Sequence, residues 1–310
     1  MQTSRRSILK GSILASLAGT MGATAMSASA AEKQAALPKK EYDLVICGLG
    51  IGGIVTAIRA AQDGLKPVIL EKMSSASGNT IYSAGFMLGV NTKMQQEKKL
   101  ETGDTVDKFY EDMMKVSQGR GDPKLTRLVA EKADETLNWL HDYVGVKYAV
   151  GMKLVWPMLQ RAHLTIGEKK PGGTQLMLYL LAKAKELNVP IVYNAKAVEL
   201  LDNPQNGKVI GVKVKSKEGF EEYFGKYGVV MATGGFSANK MMLTMMAGVP
   251  AANMPVRGSH SVTGESILLT GPYFPKVVNV DQYHCGPIHG PTGANLSLIH
   301  ISEPTRRRGI

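Results

Sequence analysis

Gly48, Gly50 and Gly53, with Gly52 beside them, are the residues whose spacing first suggests chemistry. They follow the short apolar run 44–47 and precede Ile54, Ala57, Ile58 and Ala61, which recur at helical spacing. A second apolar run, 68–70, ends on Glu71, about 20 residues beyond the glycines. This is the pattern of a strand, a phosphate-binding turn, a helix and a second parallel strand. Gly48 permits the tight turn, Gly50 lets main chain approach a pyrophosphate, and Gly53 lets the helix lie close to the strand. The helix start offers unpaired N–H groups and the positive end of a dipole to phosphate oxygens. Glu71 is placed to accept hydrogen bonds from a ribose diol. The pattern predicts dinucleotide binding, to a flavin or a nicotinamide carrier.

A second bare turn lies far along the chain. The run 228–232 reads as a buried strand ending in Thr233-Gly234-Gly235, where backbone again faces a ligand at a sheet edge. Lys72 follows Glu71, and a loop of small residues comes next, containing Ser77, Gly78, Asn79, Thr80, Ala84 and Gly85. Small side chains there let amides approach a flat ligand, and Asn79 and Thr80 add polar groups. Thr263-Gly264-Glu265-Ser266 stands before another apolar helix start. His163, in Arg161-Ala162-His163, reads either as a contact to cofactor or substrate or as an ordinary loop histidine, and we expect the latter.

The elements that position these residues are legible in outline. A helix is expected over 104–118, with Val106, Phe109, Tyr110 and Met113 along one face. Asp122 and Pro123 form an N-cap and first position of the next helix, whose apolar face is expected to carry Leu125, Leu128, Val129, Ala133, Leu137 and Leu140. A third helix spans 173–187. Strands at 190–193 and 195–202 follow, then an Asn206-Gly207 hairpin into 208–216 and a turn at Glu218-Gly219 into 221–224. Met241, Met242, Met245 and Met246 read as core filler on a helix, Trp139 and Trp156 as packing, and 277–280 as a strand.

The chain has 310 residues and a formal net charge of +11. Its basic pairs, such as Lys39-Lys40 and Lys98-Lys99, have no aromatic interleaving, so no nucleic-acid partner is expected. A mild positive field suits a small anionic substrate. Of two cysteines, Cys47 reads as a buried small hydrophobe and Cys285 lies in a loop; neither has metal or disulfide spacing. There is no C-x-x-C-H, so a redox role requires an external electron donor. Residues 1–30, with Arg5-Arg6, a Gly/Ala/Ser-rich stretch and Ala28-Ser29-Ala30, resemble a cleaved twin-arginine signal. That stretch holds too few large apolar residues for stable membrane insertion, and export to the periplasm is expected. Residues 31–41 are expected to be a linker. Residues 296–310 resemble translated sequencing-adapter DNA, so the native chain is expected to continue past Asn295.

Taken together, the motifs resemble the flavoprotein family of fumarate reductase and succinate dehydrogenase, and within it the soluble exported fumarate reductases. The resemblance runs from about Asp43 to Pro287. It rests on the glycine turn, Glu71, Ser77-Gly78-Asn79-Thr80, Ala84-Gly85, Arg161-Ala162-His163, Ala232-Thr233-Gly234-Gly235-Phe236, Thr263-Gly264-Glu265 and Gln282-Tyr283. It implies an α/β fold: a Rossmann-like FAD-binding domain over 42–285, a parallel sheet with a small antiparallel layer. The start of a substrate-clamp domain, otherwise largely missing, is implied at 286–295. FAD is the implied cofactor, with Glu71 at the adenosine ribose and Asn79, Thr80, Ala84 and Gly85 along the flavin. Val198 and Thr233–Gly235 would close over the adenosine end. Family members that attach FAD covalently use a histidine after the acid; the first histidine here is His141, so non-covalent FAD is implied. The implied reaction is hydride transfer from reduced flavin to an α,β-unsaturated carboxylate such as fumarate. The donor would be a c-type cytochrome or a quinol-linked protein. Departures are Phe86 after Gly85, Glu265-Ser266 for Asp-Gly, and Gly286-Pro287 where a histidine is usual; His284 is the nearest candidate for that catalytic role. The remaining catalytic groups are expected beyond Asn295. A ketosteroid dehydrogenase-like enzyme, a nicotinamide-binding module and a flavin-binding module without turnover are the alternatives.

Overall fold

A computed structural model describes residues 37–100, 103–168 and 171–281. The signal at 1–30, most of the expected linker, His284, Cys285 and everything from 286 onward lie outside the described residues.

The chain opens with strand β1 (Lys39–Tyr42), then β2 (Leu44–Cys47), helix α1 (Ile51–Gln62) and β3 (Pro67–Leu70). Next come the short helix α2 (Asn79–Tyr82), β4 (Phe86–Leu88), α3 (Lys93–Glu97), α4 (Val106–Val116) and α5 (Pro123–Trp139). A π-turn over Leu140–Val144 ends α5 at Gly145, and β5 (Lys147–Ala149), β6 (Ala162–Ile166), α6 (Gly173–Glu186) and β7 (Ile191–Val192) follow. The last part holds β8 (Lys196–Asp202), β9 (Val209–Lys215), β10 (Phe220–Gly225), β11 (Val229–Met231), α7 (Lys240–Ala247), α8 (Val249–Ala252) and α9 (Glu265–Thr270).

Three sheets form among the described residues. The parallel one runs β11-β2-β3-β7, so the strands carrying both bare turns are neighbours. The second runs β1-β10-β9-β8, antiparallel except where β1 joins β10 in parallel. The third is β4-β6-β5, antiparallel. One core packs Ile46 and Ile69 with Ile54 and Ile58 of α1 and Leu176 and Leu180 of α6. The other face of β2 and β3 packs Val45 and Val68 with Val212, Val214 and Tyr223 of the second sheet. Strands β2 and β3 are therefore covered on both sides, which is why they read as short unbroken apolar runs. Cys47 belongs to this second core and is free; burial pushes its thiol up to about 12.

Several expectations need correction. Residues 39–41, expected as linker, belong with Tyr42 to strand β1. Lys40 bonds Glu221, and Tyr42 stacks on Tyr223. Helix α5 buries Ala130, Ala133 and Leu137, while Leu125, Leu128 and Val129 face outward. Ala130 and Ala133 pack against Phe109 of α4, about a third of a turn from that leucine stripe. On α7, Met242 is buried, but Met241 and Met245 are exposed. Val277 and Val278 are exposed and form no strand among the described residues. Asp122 does cap α5, accepting from the amides of Lys124 and Leu125. Trp139 packs as expected, stacked on Tyr143. Among the described residues no helix is long and apolar enough to cross a membrane, and no cluster of His, Cys, Asp and Glu could hold a metal.

His163 lies on β6 and is fully buried, so it is neither a loop histidine nor a ligand contact. Its Nδ1 is 2.8 Å from the Arg161 carbonyl, which can only accept, so Nδ1 carries the proton. Nε2 then accepts from the Thr92 hydroxyl at 2.7 Å. Burial lowers its pKa, more than offsetting the opposite pull of the Arg161 and Met87 carbonyls. The unfolded chain therefore takes up this proton first as pH falls. The stability contributed by neutral His163 is present above about pH 6.5 and is lost as pH drops below it. Melting temperature should fall over that range, and His163→Gln should flatten this part of the curve. An unchanged slope in the variant would refute the assignment.

Candidate functional site

The carboxyl ends of β2, β3 and β11 open onto a cavity of about 430 Å³, within the usual range for small-molecule sites. Its floor is the glycine turn. Gly48 has φ +109°, and a methyl there would lie 2.5 Å from the Ala232 carbonyl oxygen, so the turn and the end of β11 touch through bare backbone. Helix α1 starts at Gly50 without a side-chain cap. Thr80 Oγ1 accepts from the Ile51 amide at 2.9 Å, which leaves the amides of Gly52 and Gly53 without intrahelical acceptors.

Glu71 stands at the end of β3 and is buried. One oxygen accepts from the Leu49 amide at 2.9 Å and the other from the Met73 amide at 2.8 Å. Its orientation is thus fixed by main chain, with further lone pairs on each oxygen for a ligand diol. Opposite it, Lys72 Nζ lies 2.5 Å from Glu265 Oε1 and 2.9 Å from Thr263 Oγ1. Burial pushes the Glu265 carboxyl up, but the Lys72 and Thr263 hydrogen bonds outweigh it and hold it below the ordinary carboxylate value. Its second oxygen, Oε2, is buried with no hydrogen-bond partner among the described residues.

Of the residues singled out from sequence, Gly48, Gly50, Gly52, Glu71, Lys72, Ser77, Gly78, Asn79, Thr80, Thr233, Gly234 and Glu265 line this cavity. Gly53 does not, because it faces the strand: a methyl there would meet the Gly48 carbonyl oxygen at 2.0 Å. Ala84 and Gly85 are also outside the lining. Gly85 lies against Gly172, where α6 begins, and a methyl on Gly85 would lie 2.4 Å from the Gly172 Cα. Val198 sits at a register shift between β8 and β9, so Ala195, Lys196 and Ala197 form that wall instead. Gly235, Thr263 and Gly264 stand behind the lining, Thr263 as the donor that steadies Glu265 at 2.6 Å. Thr80 and Asn79 are engaged by protein, Asn79 Oδ1 accepting from the Ser259 amide at 2.9 Å.

Sequence reasoning missed Ala195, Ala197, Ser261 and Ser266. The alanines carry no chemical signature. Ser261 is recognisable only through contact, since its hydroxyl lies 2.8 Å from that of Ser77 and 2.7 Å from that of Ser259. Ser266 Oγ lies 2.6 Å from Thr233 Oγ1, joining the second bare turn to α9.

The profile of the FAD binding domain matches residues 43–270, which takes in both turns and the whole cavity. The chain belongs to the FAD binding domain family. FAD is its cofactor, and the cavity suits it: open amides at a helix start, a fixed acid beside them, and a buried carboxylate oxygen awaiting a donor. A probable fumarate reductase of Shewanella frigidimarina is 28% identical over 89% of this chain and 45% of its own length. An open-conformation flavocytochrome c3 fumarate reductase superposes with TM-score 0.69 at 28% identity, over 76% of this chain and 40% of that one. A 3-ketosteroid-Δ4-(5α)-dehydrogenase of Rhodococcus jostii RHA1 superposes with TM-score 0.69 at 25% identity, over 79% and 58%. The chain thus spans less than half the length of the curated relative it matches over most of its residues.

Proposed function

We propose that this chain is the cofactor-binding part of an exported, FAD-dependent oxidoreductase that reduces a C=C bond beside a carboxylate. The observation that carries the reading is the joining of both bare turns around one cavity, with Glu71 fixed by two amides and the helix start left open. The Gly52 amide at the open start of α1 would hold the pyrophosphate, and Glu71 the adenosine ribose. Ala195 and Ala197 leave room for a flat ring against β8. Bound FAD supplies hydride chemistry; the chain's own residues bind it, orient it and keep water from its nucleotide half. The cofactor is held non-covalently, since no histidine lies in the loop after Glu71. Similarity to fumarate reductases supports an anionic enoate as substrate and a cytochrome or quinol-linked donor. The ketosteroid dehydrogenase likeness supports a second reading, a steroid enone as substrate.

The purified chain is expected to bind FAD and to release it on acid precipitation. At a free FAD concentration about 100 times Kd, the fold should gain about 2.7 kcal/mol against melting. No binding and no thermal shift would overturn the reading. Turnover of fumarate, urocanate and a ketosteroid by the product of the complete gene separates the substrate classes. Cleavage after Ala30 that depends on the twin-arginine route tests export; cytoplasmic retention would refute it.

A further inference from the structure

Two carboxylates line the cavity, and they are held differently. Both oxygens of Glu71 already accept main-chain N–H groups. Glu265 has one oxygen gripped by Lys72 and Thr263, and the other buried without a partner among the described residues. A buried, charged oxygen with nothing to accept is costly, and such atoms mark places where a ligand supplies the donor. The titratable side chains facing this space are Cys47 from β2, Glu71 and Lys72 from β3, Lys196 from β8 and Glu265 itself. Lys72 is the cation that touches Glu265.

We propose that Lys72 is a positioning residue: it anchors Oε1 of Glu265 and so presents Oε2 to a hydroxyl or amino group of the bound flavin nucleotide. This rests on the FAD reading above. Three features support it. The ion pair joins the end of β3 to the start of α9, spanning two elements that border the ligand. Thr263 donates to the same oxygen as Lys72, so the carboxylate is held from one side only. Replacing the ammonium by an apolar group would leave a buried acid held by the Thr263 hydroxyl and its own main-chain N–H, without a cation, and such an acid takes up a proton at higher pH. A protonated Glu265 accepts hydrogen bonds more weakly and is free to rotate, so ligand affinity acquires a pH dependence that the intact pair prevents.

The test is FAD affinity of the full chain from about pH 5.5 to about pH 8.5, across the range into which a desolvated carboxyl shifts. The parent should give a flat profile. Lys72→Met should bind about tenfold more weakly at the acid end than at the basic end, and Lys72→Arg should restore a flat profile. Glu265→Gln should weaken binding about tenfold at every pH, since a charged acceptor is lost. If Lys72→Met does not fold, Lys72→Gln is read by the same criterion. A flat profile in the uncharged variant, or parental affinity in Glu265→Gln, overturns the assignment while leaving FAD binding intact. A parent that binds no FAD overturns the flavin reading and this assignment with it.

Discussion

Arg161→Met is expected to lower stability by about 3–5 kcal/mol, the cost of removing one partner from a buried ion pair. The guanidinium is buried, with its side chain 2% exposed, and is shared between two acids. Nε and Nη2 grip Asp104 in a two-pronged bond, and Nη1 lies 2.8 Å from Asp112. Nη1 also donates to the Pro157 carbonyl, and the cation sits 5.0 Å from the centre of the Phe109 ring. Asp112 in turn accepts from the Trp156 indole. One side chain therefore ties β6, helix α4 and the loop between β5 and β6. Methionine fills similar space but removes the guanidinium that grips Asp104, itself 7% exposed. Arg161→Lys should recover only part of the loss, because an ammonium cannot reproduce the planar fork. Arg161→Met with Asp104→Leu should recover more, since both charges are then gone. None of these residues lines the cavity, so folded protein should keep its FAD affinity. Denaturant unfolding checks the claim; a loss below about 1 kcal/mol, the scale of an exposed pair, would refute it.

That knot was not legible in the sequence, and the reason is general. Features encoded within a few residues could be read directly. The turn between β2 and α1, the cap at Asp122 and the hairpin at Asn206-Gly207 depend on local conformation, and each stands where its residues predict. Features that need a distant partner could not. Residues 39–41 look like linker until β10 arrives from the far end of the fold to pair with them. His163 looks like a loop residue until Thr92 is placed against it. Helix α5 offers two candidate stripes, and only its neighbours decide that the alanines turn inward. The site divides in the same way. Its phosphate turn and acid were visible as a motif. Its walls at Ala195, Ala197 and Ser261 were not, because small residues become informative only once a cavity lies beside them.

The glycines of the turn make the sharpest prediction, because the structure gives each a different task. A methyl on Gly53 would lie 2.0 Å from the Gly48 carbonyl oxygen and 3.3 Å from Ile46 Cγ2. Both neighbours belong to the strand and turn, so α1 must move away from β2 to relieve the overlap. Such overpacking costs about 3 kcal/mol or more when backbone cannot yield. It also shifts the helix start whose amides face the phosphates. Gly53→Ala is therefore expected to melt earlier and to bind FAD at least 100-fold more weakly, about 2.7 kcal/mol. Gly52 is the opposite case: nothing lies within 4 Å of an added methyl, and its backbone is helical. Gly52→Ala should fold as well as the parent or better, gaining up to about 1 kcal/mol of helix propensity. Gly50 lies between them. Its φ of −80° suits alanine, and the nearest atom to an added methyl is Thr80 Oγ1 at 3.7 Å. Gly50→Ala should keep the fold yet weaken FAD, because the methyl intrudes where only main chain can approach the pyrophosphate. Melting curves and FAD fluorescence titrations on the three variants separate fold from ligand. If Gly53→Ala matches the parent in both, helix α1 does not rest on the turn as its geometry requires, and the phosphate cradle loses its physical basis.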